Sequence, residues 1–185
     1  MILWVIIGLV ILIGLAWIAS YNDLIKKRNW VEEAFSQIDV QLQQRNDLIP
    51  NLVNTVKGYV EHESSTLEAV TQARQQLIQV ASQGDVERIN ELSNQLTGAL
   101  SRLLAVAEQY PDLKANTNFI KLQDTLESIE KQIAVARQLY NSSATEYNIA
   151  IQSVPKNIVA NIHHFDRKAL LEAPEEARQV PEVQF

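Results

Sequence analysis

Two short stretches hold the side chains best suited to chemistry. Glu61, His62 and Glu63 close the run DVQLQQRNDLIPNLVNTVKGYVEHE (39–63), and His163, His164 and Asp166 lie in NIHHFD. Carboxylates beside imidazoles are the residue types that bind divalent metals or relay protons. The spacing argues against both uses. Neighbouring residues on a helix point about 100° apart, so 61, 62 and 63 do not converge on one ion without further ligands. A di-iron site between helices needs Glu-x-x-His pairs, and the chain has none. Adjacent histidines beside a Pro- and Glu-rich terminus are read as solvated. There is no cysteine, which removes disulfides, thiolate catalysis and Cys-based zinc sites. Neither a Gly-x-Ser-x-Gly elbow nor a Gly-rich phosphate loop occurs among the five glycines. The expectation is a protein without enzymatic activity, cofactor or metal, with a metalloprotein as the weakest alternative.

Polar residues at helix-packing positions form a different set. Glu63 and Arg74 fall on the apolar stripe of 49–81, and Glu130, Arg137, Asn141 and Asn148 run beside the stripe of 119–154. A buried charge without a partner costs several kcal/mol, so partners are expected. Either these groups pair with one another and fix the helix register, or they line a groove for a ligand. The first reading is preferred, because single polar residues on a packing seam are known register devices.

The elements that position them are helical. Apolar residues recur every three or four positions in four segments, and no segment alternates like a strand. Asp47 with Pro50 is read as the capped start of the second helix. Gly84 and Asp85 separate the second helix from the third, Pro111 ends the third, and Pro155 ends the fourth. Short connections predict an all-α fold, an elongated antiparallel four-helix bundle over 21–155. Residues 156–171 form a short C-terminal helical element, and 172–185 read as a disordered tail.

Ahead of the bundle, residues 2–19 carry no charge and no polar side chain, enough for a transmembrane anchor over 1–20. Trp4 and Trp17 sit near its ends, where indole rings favour the headgroups. Gly8 and Gly14 would permit close packing in the bilayer, although they are not a GxxxG pair. A cleaved signal peptide is disfavoured, since no basic region precedes Ile2 and Trp17 would occupy the −3 position. Lys26, Lys27 and Arg28 follow the anchor, which puts the body in the cytoplasm, with a periplasmic body as the alternative. All 16 basic and 22 acidic residues lie beyond the anchor, giving a net charge of −6, and no basic stripe suggests nucleic acid. The first bundle helix is expected to continue from the anchor, because 19–24 contain neither glycine nor proline.

Several longer motifs carry a resemblance. DLIPNLV, VKGYVEHE, YPDLKAN, F-x-x-L-Q-x-x-L-x-x-x-E, AR-x-x-YN and YN, spread over 21–63 and 110–155, are similar to those of the LemA family of bacterial membrane proteins. The resemblance implies a short N-terminal membrane helix and a long helical bundle in the bacterial inner membrane. It supplies no catalytic residues and no cofactor. Relatives have been linked to membrane organisation, and some are encoded near membrane proteases. Two departures stand out: Val154 where members usually carry Phe, and HHFDRKALLE in place of an aromatic segment after Pro155. The leading expectation is a non-enzymatic, single-pass scaffold, self-assembling as a homo-oligomer or joined to another membrane protein. An adaptor or sensor for a membrane protease or receptor is the alternative.

Overall fold

The computed structural model describes residues 1–60, 62–81 and 83–172, and among them every regular element is a helix. In chain order they are α1 (Ile2–Lys57), α2 (Ser64–Ala81), α3 (Val86–Ala107), α4 (Pro111–Lys114), α5 (Thr117–Gln152) and α6 (Lys156–Ile162). The protein is all-α and starts with a long apolar helix. Between Gly14 and Pro50 the sequence holds neither glycine nor proline, so nothing local stops α1.

Pro50 corrects the expectation built on it. It lies inside α1 and opens no new helix, and Asp47 is an exposed residue of the same helix, capping nothing. The chain turns instead at Gly58–Val60, where the amides of Tyr59 and Val60 both donate to the Val56 carbonyl. Glu63 is corrected for the same reason. It precedes α2, where its carbonyl accepts from the Thr66 and Leu67 amides, so it holds no heptad position.

The other ends follow local rules. Gly84 adopts φ +71°, a region that side chains disfavour. Asp85 then caps α3, its carboxylate accepting from the Arg88 amide at 3.0 Å. α3 ends at Ala107, and Pro111 occupies the first turn of α4. The Asn116 side chain accepts from the amides of Asn118 and Phe119 and so starts α5. α5 stops at Gln152, and Pro155 takes the cap position of α6.

The chain divides into two compact units. One comprises Met1–Ser36 and Ala136–Leu170. Its core includes Leu24, Val31, Tyr140, Ala144, Tyr147 and Val159. The other comprises Gln37–Val135 with, among the described residues, Leu171 and Glu172. There Ile49, Leu52 and Val56 of α1, Leu77 of α2, Leu96 and Leu103 of α3, and Ile133 of α5 are nearly or wholly buried. Ala173–Phe185, most of the predicted tail, lies outside the described residues.

Candidate functional site

The most buried ionic group was not singled out from the sequence. Arg45 of α1 has no solvent exposure, yet its guanidinium reaches three partners. Nη1 donates to Glu130 of α5 at 2.9 Å and to Thr97 of α3 at 3.0 Å, while Nη2 donates to Ser93 at 2.9 Å. Thr97 in turn donates to the other Glu130 oxygen at 3.3 Å. A planar fork suits this multiple bonding in a way that an ammonium does not. The signal was present: Ile38, Leu42, Arg45, Ile49 and Leu52 follow one three-four spacing. It is visible only if the helix is carried through Pro50.

A second bond explains how the helix tolerates that proline. Inside a helix, Pro50 has no N–H to give the carbonyl four residues back, which belongs to Asn46. Asn46 is buried, and leaving its carbonyl bare would cost free energy. Arg74 of α2 fills the gap, its Nε donating to the Asn46 carbonyl at 2.8 Å. A cation on another helix thus replaces the missing amide.

In the unit containing the chain's N-terminus, polar side chains hold a non-helical strap. After α6 the backbone reverses at His164, φ +54°, and continues without regular structure to Glu172. Asn148 of α5 grips residue 168 twice: Nδ2 donates to its carbonyl at 2.8 Å, and Oδ1 accepts from its amide at 2.9 Å. The Tyr140 hydroxyl donates to the Ala169 carbonyl at 3.0 Å. In the other unit, Asn90 of α3 donates to the Glu172 carbonyl at 3.1 Å. Asn148 and Tyr140 belong to the two YN-bearing motifs. Burial pushes the Tyr147 hydroxyl above the usual tyrosine range.

The remaining predicted residues are placed as follows. Arg137 and Asn141 are half-buried on α5. Trp4 is exposed, and a Cβ added at Gly8 or Gly14 would meet nothing within 4 Å. Trp17 lies against His163, with ring centres 6.0 Å apart. Lys26 and Lys27 stand over the Trp30 ring at 4.9 and 5.6 Å. Lys27 also pairs with Glu146, and Arg28 stands over Phe165 at 5.6 Å. The polar set is therefore used in separate bonds: Arg74 on Asn46, Glu130 on Arg45, and Asn148 on the strap.

The stretches that opened the sequence reading are not drawn together. Glu61 lies outside the described residues, His62 is exposed, and the His163 ring is taken up by Tyr21 and Trp17. Among the described residues, no group of three or more His, Cys, Asp or Glu could hold a metal. Lys156 of α6 pairs with Asp23 of α1 at 2.7 Å. That hydrogen bond, helped by nearby Lys27 and Lys26, keeps the Asp23 carboxyl below the usual aspartate range despite some desolvation.

Comparison with known proteins follows the same helices. The family model for the LemA family matches residues 34–185. The chain belongs to the LemA family. The LemA match takes in Arg45, Pro50, Arg74, Glu130, Tyr140 and Asn148, the residues of all three bonding systems. Among similar proteins, Protein LemA of Metamycoplasma hominis is 27% identical over 161 residues, covering 86% of this chain and 72% of its own. Magnetosome protein MamQ of Magnetospirillum gryphiswaldense is 27% identical over 175 residues, covering 82% of this chain and 62% of its own. Magnetosome protein MamQ 2 of Paramagnetospirillum magneticum is 27% identical over 170 residues, with 80% and 62% covered. This chain thus spans less than two thirds of either MamQ protein. LemA membership and the exposed apolar run of α1 together mark a membrane-associated protein.

Proposed function

We propose that this chain is a non-enzymatic scaffold, held in the bacterial inner membrane by α1, which assembles with copies of itself or with another membrane protein. The observation that carries this reading is α1 itself. Its apolar run is exposed over residues 2–16, with Trp17 half-buried, and the same helix continues into the body without interruption. Exposed apolar surface of this extent is unfavourable in water and natural in hydrocarbon. The polar bonds of the body support the reading further, since they fasten helices and backbone to one another. Two of the relatives are named for a cellular structure, the magnetosome, rather than for a reaction.

Self-assembly would cover apolar side chains that α5 leaves exposed, Val135, Leu139 and Ile149. Lys26, Lys27 and Arg28 favour a cytoplasmic body. Mass measurement of the full-length protein in detergent tests the scaffold. The expected result is an oligomer or a complex with a second membrane protein. A monomer at cellular concentration, with nothing co-purifying, overturns it. In-cell crosslinking separates a homo-oligomer from an adaptor: one dominant foreign partner would favour the adaptor.

A further inference from the structure

α6 has two apolar faces and uses only one within the fold. Val159 and Ala160 point inward and are 3% and 2% exposed. Ile158 and Ile162, one turn apart, are 52% and 57% exposed, and Val154 just ahead of the helix is 80% exposed. The position of α6 along α1 gives that face a meaning. Its first residue, Lys156, bonds Asp23, and the residue after its end, His163, contacts Trp17 and Tyr21. Trp17 and Asp23 are six residues apart, about 9 Å along the α1 axis, while seven residues of α6 span about 10 Å. α6 therefore runs down beside α1 with its C-terminal end toward the apolar run. His164 then turns the chain, and Phe165 returns to Tyr21 and Arg28.

We infer that α6 is a second membrane contact, with Val154, Ile158 and Ile162 seated in the interface of the bilayer that α1 crosses. This rests on the anchor reading of α1. The occupant is lipid because the C-terminal end of α6, through His163, reaches Trp17 and Tyr21, at the level where the apolar run ends and indole and phenol rings meet headgroups. Exposed Lys26 and Arg167 in the same unit suit anionic headgroups. A seven-residue helix has too little apolar area to bind a membrane by itself. Tethered to a spanning helix, it needs none of that affinity, because its local concentration at the surface is set by the tether.

The lack of native cysteine makes the test direct. Full-length variants Ile158→Cys, Ile162→Cys, Leu12→Cys and Ile120→Cys are each labelled with NBD and reconstituted into phosphatidylcholine–phosphatidylglycerol vesicles. Doxyl groups carried on lipid chains at shallow or deep positions serve as quenchers. Labels at 158 and 162 should lose most of their emission to the shallow quencher, the label at 12 should lose most to the deep one, and the label at 120 should be unaffected. If 158 and 162 behave like 120 while 12 is quenched, the anchor stands and this inference falls. A blue-shifted but unquenched label at 162 would put the face against protein and overturns it too. If 12 is unquenched, both readings fall. Because an apolar label could itself seek lipid, Val154→Cys is also read with Ile158→Glu and Ile162→Glu. Quenching there should drop sharply, and unchanged quenching counts against the inference.

Discussion

Arg74 and Pro50 form a pair that neither residue explains alone. A proline inside a helix normally costs a hydrogen bond and bends the axis. Here the unsatisfied carbonyl is met by a charged donor, a bond of a kind worth about 1.5–3 kcal/mol. Arg74→Ala should therefore lower stability by about that amount, read by thermal or urea unfolding in detergent. In a Pro50→Ala background the chain supplies its own amide, so the same change should cost much less. Equal costs in both backgrounds would show that Arg74 acts elsewhere. Arg45→Ala should cost about 3 kcal/mol, the lower end for a broken buried pair, because Glu130 is 28% exposed and regains some water. Arg45→Met, which removes the charge but keeps the volume, should cost clearly less in the same measurement. These residues also show where sequence reading fails. Gly84 and Asp85 act on their immediate neighbours, so three letters suffice to read them. The role of Pro50 depends on a donor 28 residues beyond the carbonyl it leaves bare. Ending the helix at Asp47 then hid Arg45, whose spacing is ordinary once α1 is continuous.

At the scale of elements, the strap after α6 has no ladder or helix of its own to satisfy it. Asn148 supplies two bonds to one residue, so Asn148→Ala should cost about 1–3 kcal/mol. The more specific readout is limited proteolysis: trypsin should cut faster after Arg167 or Lys168 in the variant. Unchanged cleavage would mean the strap is held without Asn148. The strap was illegible in the sequence because its acceptors are backbone carbonyls, which every residue type has. The donors were half visible: Asn148 stood out as a polar residue beside a seam, whereas Tyr140 looked apolar. α6 depends on a pH-sensitive tie. The Asp23 carboxyl is depressed in the folded state, so its contribution is complete above the ordinary aspartate range and is lost as pH falls through the lower folded value. Amides in 156–163 should therefore be protected at neutral pH, and their protection factors, corrected for the pH dependence of intrinsic exchange, should fall only in that acidic window. Asp23→Asn should show the faster exchange at neutral pH already.

For the whole molecule, the apolar run, its helical continuation and the all-α class were legible because each follows from composition or period over many residues. The placement of the first helix break was not, since a side chain from another helix lets α1 run through Pro50. Orientation gives a test at this scale. A membrane-impermeant maleimide added to intact spheroplasts should leave Val135→Cys unlabelled and should label it after permeabilisation, as expected for a cytoplasmic body. Labelling of intact cells would invert the assignment. The bond between Arg74 and Asn46 also bears on how the chain is made. Synthesis proceeds from the N-terminus, so α1 leaves the ribosome ahead of α2. The turn around Pro50 must stay hydrated until Arg74 has emerged and α2 has folded back. The last two turns of α1 are thus among the late events of biogenesis, although they belong to the first helix to emerge.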